Sequence, residues 1–232
     1  MPSFMTTVKS SVGKKFLMAI TGLAMIIFLI EHLTGNFLLL QSDPVPYNKY
    51  AHFLLSFGWL LIVAELILVA FLVIHMISGI SVFLKKRQAR PVGYHVQGNA
   101  GGPSKKTFAS TTMIYTGIII FVFLAIHLKT FKFGPYYETT IDGVVMRDLY
   151  KLVSEVFRDP LYVGGYVVAM ILLGFHLRHG FWSAFQSLGL YHPRYMPIIY
   201  GLGILIAIML AVGFLGIPIW IYVREVVLKG AI

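Results

Sequence analysis

Histidine is costly inside hydrocarbon and, where it occurs there, faces a bundle interior, a partner or a cofactor. Of the eight histidines in the chain, His32, His75, His127, His176 and His179 lie within long apolar runs. A neutral imidazole offers one nitrogen lone pair to a metal, and a pair of imidazoles is a standard axial ligand set for haem iron. The chain has no cysteine, which excludes an iron–sulfur cluster, a thioether-attached haem and a disulfide, so any haem must be held non-covalently. Glu31 and Glu65 are the carboxylates within the same runs, and both are candidates for proton handling. Glu31 adjoins His32, and a hydrogen bond that orients the imidazole is an equal alternative for it. His52, His95 and His192 fall in loops or at helix ends and are expected to be surface residues.

The elements that must position these side chains are membrane spans. The 232 residues are 58% hydrophobic and 12% charged, well below the charged fraction of a soluble domain. A formal charge of +10 does not point to nucleic acid, because the cations punctuate apolar runs of spanning length rather than forming a basic patch. The sequence predicts an all-α integral membrane protein, a single transmembrane domain over 1–232. Five helices are expected near 16–40, 53–84, 108–131, 160–187 and 196–222. The first apolar stretch runs on through Glu31 and His32 to Leu40 without a small-residue cleavage pattern, and is expected to be retained. Trp59, Trp182 and Trp220 fall near helix ends, where an amphipathic ring prefers the headgroup layer. The connector with Pro91, Gly93, Gly98, Gly101, Gly102 and Pro103 is too broken for a helix. Leu149, Leu152, Val153, Val156 and Phe157 repeat at helical spacing, which predicts a short amphipathic helix on the membrane surface.

Charge asymmetry orients the spans. The N-terminal arm (Lys9, Lys14, Lys15), the second loop (Lys85, Lys86, Arg87, Arg90, Lys105, Lys106) and the fourth loop (Arg194) contain cations without acids, as cytoplasmic segments do. The opposite segments mix signs, with Arg224 among their cations and Glu225 among their acids. The N-terminus is expected in the cytoplasm and the C-terminus outside.

In that orientation His32 lies about 12 Å short of the outer end of its helix, and His127 within roughly 6 Å of the same side. His75 lies about 13 Å and His176 about 16 Å from the cytoplasmic ends of theirs. His179, at about 12 Å, is equally level with His75, so depth leaves His176 and His179 both open. Two histidine pairs, one in each half of a helical bundle, suit bis-imidazole ligation of two b-type haems. Gly35 follows His32 by three positions, and Gly79 and Gly180 follow His75 and His176 by four, so each shares a helix face with its histidine. They are expected to make room for a flat porphyrin, although membrane helices also use glycine simply to pack.

The residues resemble the single-subunit, two-haem cytochrome b anchor of succinate dehydrogenases and fumarate reductases along essentially the whole chain. The most specific pieces are Ser11-Val12-Gly13-Lys14-Lys15, His32-Leu33-Thr34-Gly35-Asn36, His75-Met76-Ile77-Ser78-Gly79 and His176-Leu177-Arg178-His179-Gly180-Phe181-Trp182-Ser183. Ala125-Ile126-His127 is the least distinctive. The resemblance implies that His32 and His127 ligate a distal haem and that His75 and His176 ligate a proximal one. The family's ligand precedes Gly-Phe/Leu-Trp-Ser by four residues, which selects His176 and leaves His179 as an alternative or supporting residue. It implies electron transfer between an iron–sulfur subunit and quinone, menaquinone by preference, with a flavoprotein subunit interconverting succinate and fumarate. It also implies a multi-pass location in a prokaryotic cytoplasmic membrane, contact with lipid and a possible higher oligomer of the complex. Both soluble subunits must be other chains, since this one has neither cluster-binding cysteines nor a glycine-rich dinucleotide fingerprint. Where some members carry a glutamate two residues before the helix-four ligand, this chain has Gly174.

Two other classes remain open at this point. A cytochrome b subunit of a membrane-bound hydrogenase or formate dehydrogenase shares haems and quinone but has a different soluble partner. A proton-coupled transporter uses membrane histidines without haem. A bc-type cytochrome b is disfavoured, because it carries two ligands on each of two helices.

Overall fold

The structure is a computed structural model that describes Thr6, residues 9–89, Val92 and residues 107–228. It is mostly helical, and five of its helical segments are long and apolar enough to cross a membrane: Ser11–Leu40, Trp59–Ala89, Phe108–Lys132, Pro160–Ser187 and Met196–Leu228. Ile27, Ile62, Leu66, Ile77, Ile198, Leu205 and Ile208 are each more than half exposed. Large apolar side chains in such number on the outside suit hydrocarbon rather than water. The glycine- and proline-rich connector, with His95, Arg90, Lys105 and Lys106, lies outside the described residues.

In chain order the helices are α1 (Ser11–Asn36), α2 (Val45–Ser56), α3 (Trp59–Ala89), α4 (Phe108–His127), α5 (Leu149–Val156), α6 (Pro160–Ser187) and α7 (Met196–Tyr222). α6 and α7 coincide with the expected spans. The second span does not begin near 53. Residues 45–56 form a separate helix with proline in its first turn, and Gly58, at φ +56°, stops it before α3 starts at Trp59. A glycine in the left-handed region is the ordinary way to terminate a helix.

α4 does not end at His127 but continues as a π turn over Leu128–Lys132. The Phe133 N–H donates to Leu128 O at 3.0 Å, an i→i+5 bond. This turn brings Lys132 onto Glu65 in an ion pair.

A two-stranded antiparallel hairpin, β1 (Glu138–Ile141) with β2 (Val144–Arg147), departs from the all-α expectation. Its loop is Asp142-Gly143, with φ of +51° and +77°, the geometry that Asp-Gly favours in two-residue hairpin turns. α5 stands where an amphipathic helix is expected. The Asp148 side chain caps it by accepting from the Lys151 N–H at 3.0 Å.

The chain divides into two compact units. One comprises Met1–Ile26, Leu68–Ile118 and Phe175–Ala207; the other comprises Ile27–Ile67, Ile119–Gly174 and Ile208–Ile232. In the first, Lys14 Nζ donates to Ser81 Oγ at 2.5 Å, and the Trp182 and Tyr200 rings meet with centroids 4.8 Å apart.

The second unit contains a buried polar cluster. Arg224, its side chain 6% exposed, donates to Gln41 O at 2.8 Å and Leu39 O at 3.2 Å. Its Nε donates to Glu225 Oε1 at 3.1 Å, and Arg158 donates to Glu225 Oε2 at 3.1 Å. Asn48, 1% exposed, donates to Asp148 at 2.8 Å and accepts from the Tyr150 N–H at 3.0 Å. Arg224 and Glu225, read from the sequence as charges of an outer segment, are buried.

Removing one partner from a buried ion pair strands the other, at a cost of about 3 kcal/mol. Arg224→Met is therefore expected to lower the apparent melting temperature of the detergent-solubilised protein by several degrees. Lys49→Met, which opens the exposed Lys49–Asp142 pair, is expected to cost less than about 1 kcal/mol and to leave the transition nearly unmoved.

Candidate metal-ligating histidine pairs

Each unit contains one pair of facing imidazoles. In the first, the rings of His75 on α3 and His176 on α6 lie with centroids 6.3 Å apart. In the second, the rings of His32 on α1 and His127 at the end of α4 lie 5.9 Å apart and edge-on, at 83°. Two imidazoles ligating one metal through bonds of about 2 Å place their ring centres about 6 Å apart. All four rings are half-buried, and each pair draws its members from two different helices.

Three of the four rings have Nδ1 engaged. His75 Nδ1 lies 3.0 Å from Met18 O. A carbonyl only accepts, so Nδ1 carries the proton and Nε2 of the neutral ring keeps its lone pair. His176 Nδ1 lies 3.2 Å from Thr116 Oγ1, whose hydroxyl is within reach of Met113 O at 3.1 Å and Thr112 O at 3.2 Å. A hydroxyl that donates its one proton to its own helix is left to accept from the imidazole. His127 Nδ1 lies 3.1 Å from the Tyr166 hydroxyl. His32 is held by ring faces, with Phe28 stacked at 5.4 Å and Phe214 at 5.8 Å.

No protein-family model, curated protein or solved structure matches the chain.

The two pairs can therefore be weighed on their own donor sets. Among the described residues no three or more His, Cys, Asp or Glu side chains converge as a metal site, so each pair supplies two protein ligands. A bare ion needs more than that, whereas a porphyrin brings four nitrogens of its own and asks the protein for the two axial ones. The residues fit haem in that respect, with the Nδ1–H of His75 anchored on a main-chain carbonyl as ligating histidines usually are.

The remaining candidates separate. His179 does not face His75; its ring meets Trp182 edge-on at 5.0 Å, and its Nδ1 is buried without a hydrogen-bond partner among the described residues. Glu65 pairs with Lys132. Glu31 is exposed, and its carboxylate faces Tyr50, whose phenol is pushed up by burial first and by Glu31 second. His52 is half-buried on α2, and exposed His192 accepts from the Arg194 N–H at 3.2 Å ahead of α7.

Of the three glycines that follow the histidines, Gly35 is closed over by a side chain of the protein itself. A Cβ on Gly35 would stand 2.4 Å from the Tyr50 ring, one on Gly79 would meet Met18 Sδ at 3.6 Å, and one on Gly180 meets nothing within 4 Å. Room for the imidazole rings themselves comes from Gly22, whose Cβ would stand 3.1 Å from His75 Cε1, and from Gly117, whose Cβ would stand 3.6 Å from His176 Cε1. Gly22, Gly117, Thr116 and Tyr166 escape sequence reading because they sit on neighbouring helices at no fixed spacing from the histidines they touch.

Gly22→Ala is expected to push the His75 ring off Met18 O and to destabilise the folded protein by about 1 kcal/mol through overpacking. Gly180→Ala, with open space around it, is expected to be silent. Parallel thermal unfolding of the two variants in one detergent checks the difference.

Proposed function

We propose that the chain is a membrane-bound cytochrome b that holds two haems, one between His32 and His127 and the other between His75 and His176. The observation that carries this reading is the spacing of the two imidazole pairs, 5.9 and 6.3 Å between ring centres, within helices of spanning length. Half-buried imidazoles at this separation, three of them with Nδ1 bonded and so with Nε2 left over, suit bis-imidazole ligation.

The motifs around His32, His75 and His176 extend the proposal to a role: the membrane anchor of a succinate dehydrogenase or fumarate reductase. The basic segments around Lys14 and Arg194 support an orientation with the N-terminus in the cytoplasm and the C-terminus outside, in a prokaryotic cytoplasmic membrane. When bound, haem supplies reversible one-electron chemistry, which on this reading joins an iron–sulfur subunit to quinone, menaquinone by resemblance.

The chain's own residues hold the ligands in place. Met18 O fixes the tautomer of His75, Thr116 and Tyr166 anchor His176 and His127, and Phe28 and Phe214 pack His32 from its ring faces. Glu65 is taken up by its pair with Lys132, and Glu31, which adjoins His32, is the better candidate for handling the protons of quinone chemistry.

A dithionite-reduced minus oxidised spectrum, with a haem-to-protein ratio, tests the reading. Two b-type haems per chain are expected. His127→Leu and His75→Leu should each halve the ratio, and His179→Leu should retain both haems. A haem-free wild-type chain defeats the proposal and makes the histidines a proton relay or packing residues. Co-purified flavoprotein and iron–sulfur subunits with succinate or fumarate activity support the anchor role; a hydrogenase or formate dehydrogenase partner replaces it.

A further inference from the structure

The third and fourth spans exchange hydroxyl groups. α4 carries His127 and also Thr116, which meets His176 of α6 at 3.2 Å. α6 carries His176 and also Tyr166, which meets His127 of α4 at 3.1 Å. In each unit, then, one helix supplies the imidazole and the other supplies the hydroxyl behind it. His75, by contrast, is anchored on a main-chain carbonyl that substitution cannot remove.

Both hydroxyl residues are held independently of the imidazoles. The Tyr166 ring, 8% exposed, packs edge-on against Phe123 at 4.8 Å and Phe157 at 5.0 Å. Thr116, 4% exposed, is tied to carbonyls of its own helix. Each oxygen is therefore placed by its own surroundings, ahead of any ligand.

Resting on the two-haem reading, we infer that Tyr166 and Thr116 are positioning residues that set, each for its own haem alone, the reduction potential of the iron. Ligation through Nε2 leaves the proton on Nδ1, so the hydroxyl oxygen accepts. An acceptor at Nδ1–H makes the imidazole more basic, and a more basic axial ligand favours ferric over ferrous iron. Loss of the hydroxyl therefore raises the potential of the haem whose histidine it serves and leaves the other alone.

The experiment is a redox titration of the assembled complex, followed optically and by electron paramagnetic resonance of the ferric haems. Each haem is assigned by its absence from His127→Leu or His75→Leu. Tyr166→Phe keeps the ring and removes the oxygen, and should shift the His32–His127 haem toward the ferrous form about tenfold at fixed ambient potential, or about 59 mV for one electron. Thr116→Val should do the same to the His75–His176 haem, and Thr116→Ser should restore it. Tyr162→Phe removes a neighbouring hydroxyl that bonds Thr130 at 3.2 Å instead, and should move neither potential.

Unchanged potentials in both hydroxyl-deleted variants, equal shifts of both haems in either one, or a shift in Tyr162→Phe as large as that in Tyr166→Phe overturn the inference. Loss of a haem from Tyr166→Phe or Thr116→Val also overturns it, since the hydroxyl then serves packing and retention rather than potential. These failures are distinct from failure of the two-haem reading, which appears as a wild-type complex without haem.

Discussion

A neutral imidazole in hydrocarbon has one N–H that must be bonded and one lone pair that remains for use. Which nitrogen has which part is decided by what stands behind the ring, and much of this structure follows from that choice. The carbonyl of Met18 can only accept, so it commits His75 to a single tautomer and leaves the Nε2 lone pair free. Gly22 is bare because the His75 ring lies against it. Tyr166 and Thr116 do for His127 and His176 what a carbonyl does for His75, from helices other than the ligand's own. His32 is the exception, a ring held by aromatic faces, and its orientation depends on Phe28 and Phe214 staying packed.

A second constraint governs the ends of the spans. The first span closes on main-chain carbonyls at Leu39 and Gln41 that need donors, as helix C-termini do. Arg224 supplies them from the far end of the chain, with Glu225 and Arg158 completing the charge balance. The Trp220 indole adds a bond to Leu40 O at 3.0 Å. The closing turn of the last helix thus seals the opening helix, and Asn48 binds the hairpin's exit to α2 in the same manner.

The spans were legible because apolar length is a coarse, additive signal that polar loops interrupt. The break at Phe57-Gly58 was not, since Phe53 to Val63 reads as nearly continuous apolar sequence and the left-handed backbone of Gly58 has no counterpart in composition. The hairpin carried its turn dipeptide, Asp142-Gly143, but strands of four residues such as Glu138–Ile141 show too little alternation to register. Arg224 beside Glu225 looks like a surface segment in one dimension, and only a neighbouring carbonyl reveals it as a clamp. The four facing histidines could be paired by depth, yet depth left His176 and His179 level. Opposition of one ring to His75 and of the other to Trp182 is information that resides between helices and not along any of them.

The π turn after His127 has a consequence of its own. An i→i+5 turn takes up one residue more than the α turn it replaces, so everything beyond it is rotated by about 100° relative to an uninterrupted helix. Lys132 reaches Glu65 only by virtue of that extra residue. A single-residue deletion within Leu128–Lys132, the kind of lesion that ruins the register of an ordinary helix, would here restore α geometry while turning the lysine away from Glu65. The ammonium would then lose its partner. The irregularity is thus a fixed part of the chain's length, and shortening the segment to a more regular helix makes it worse adapted to the membrane.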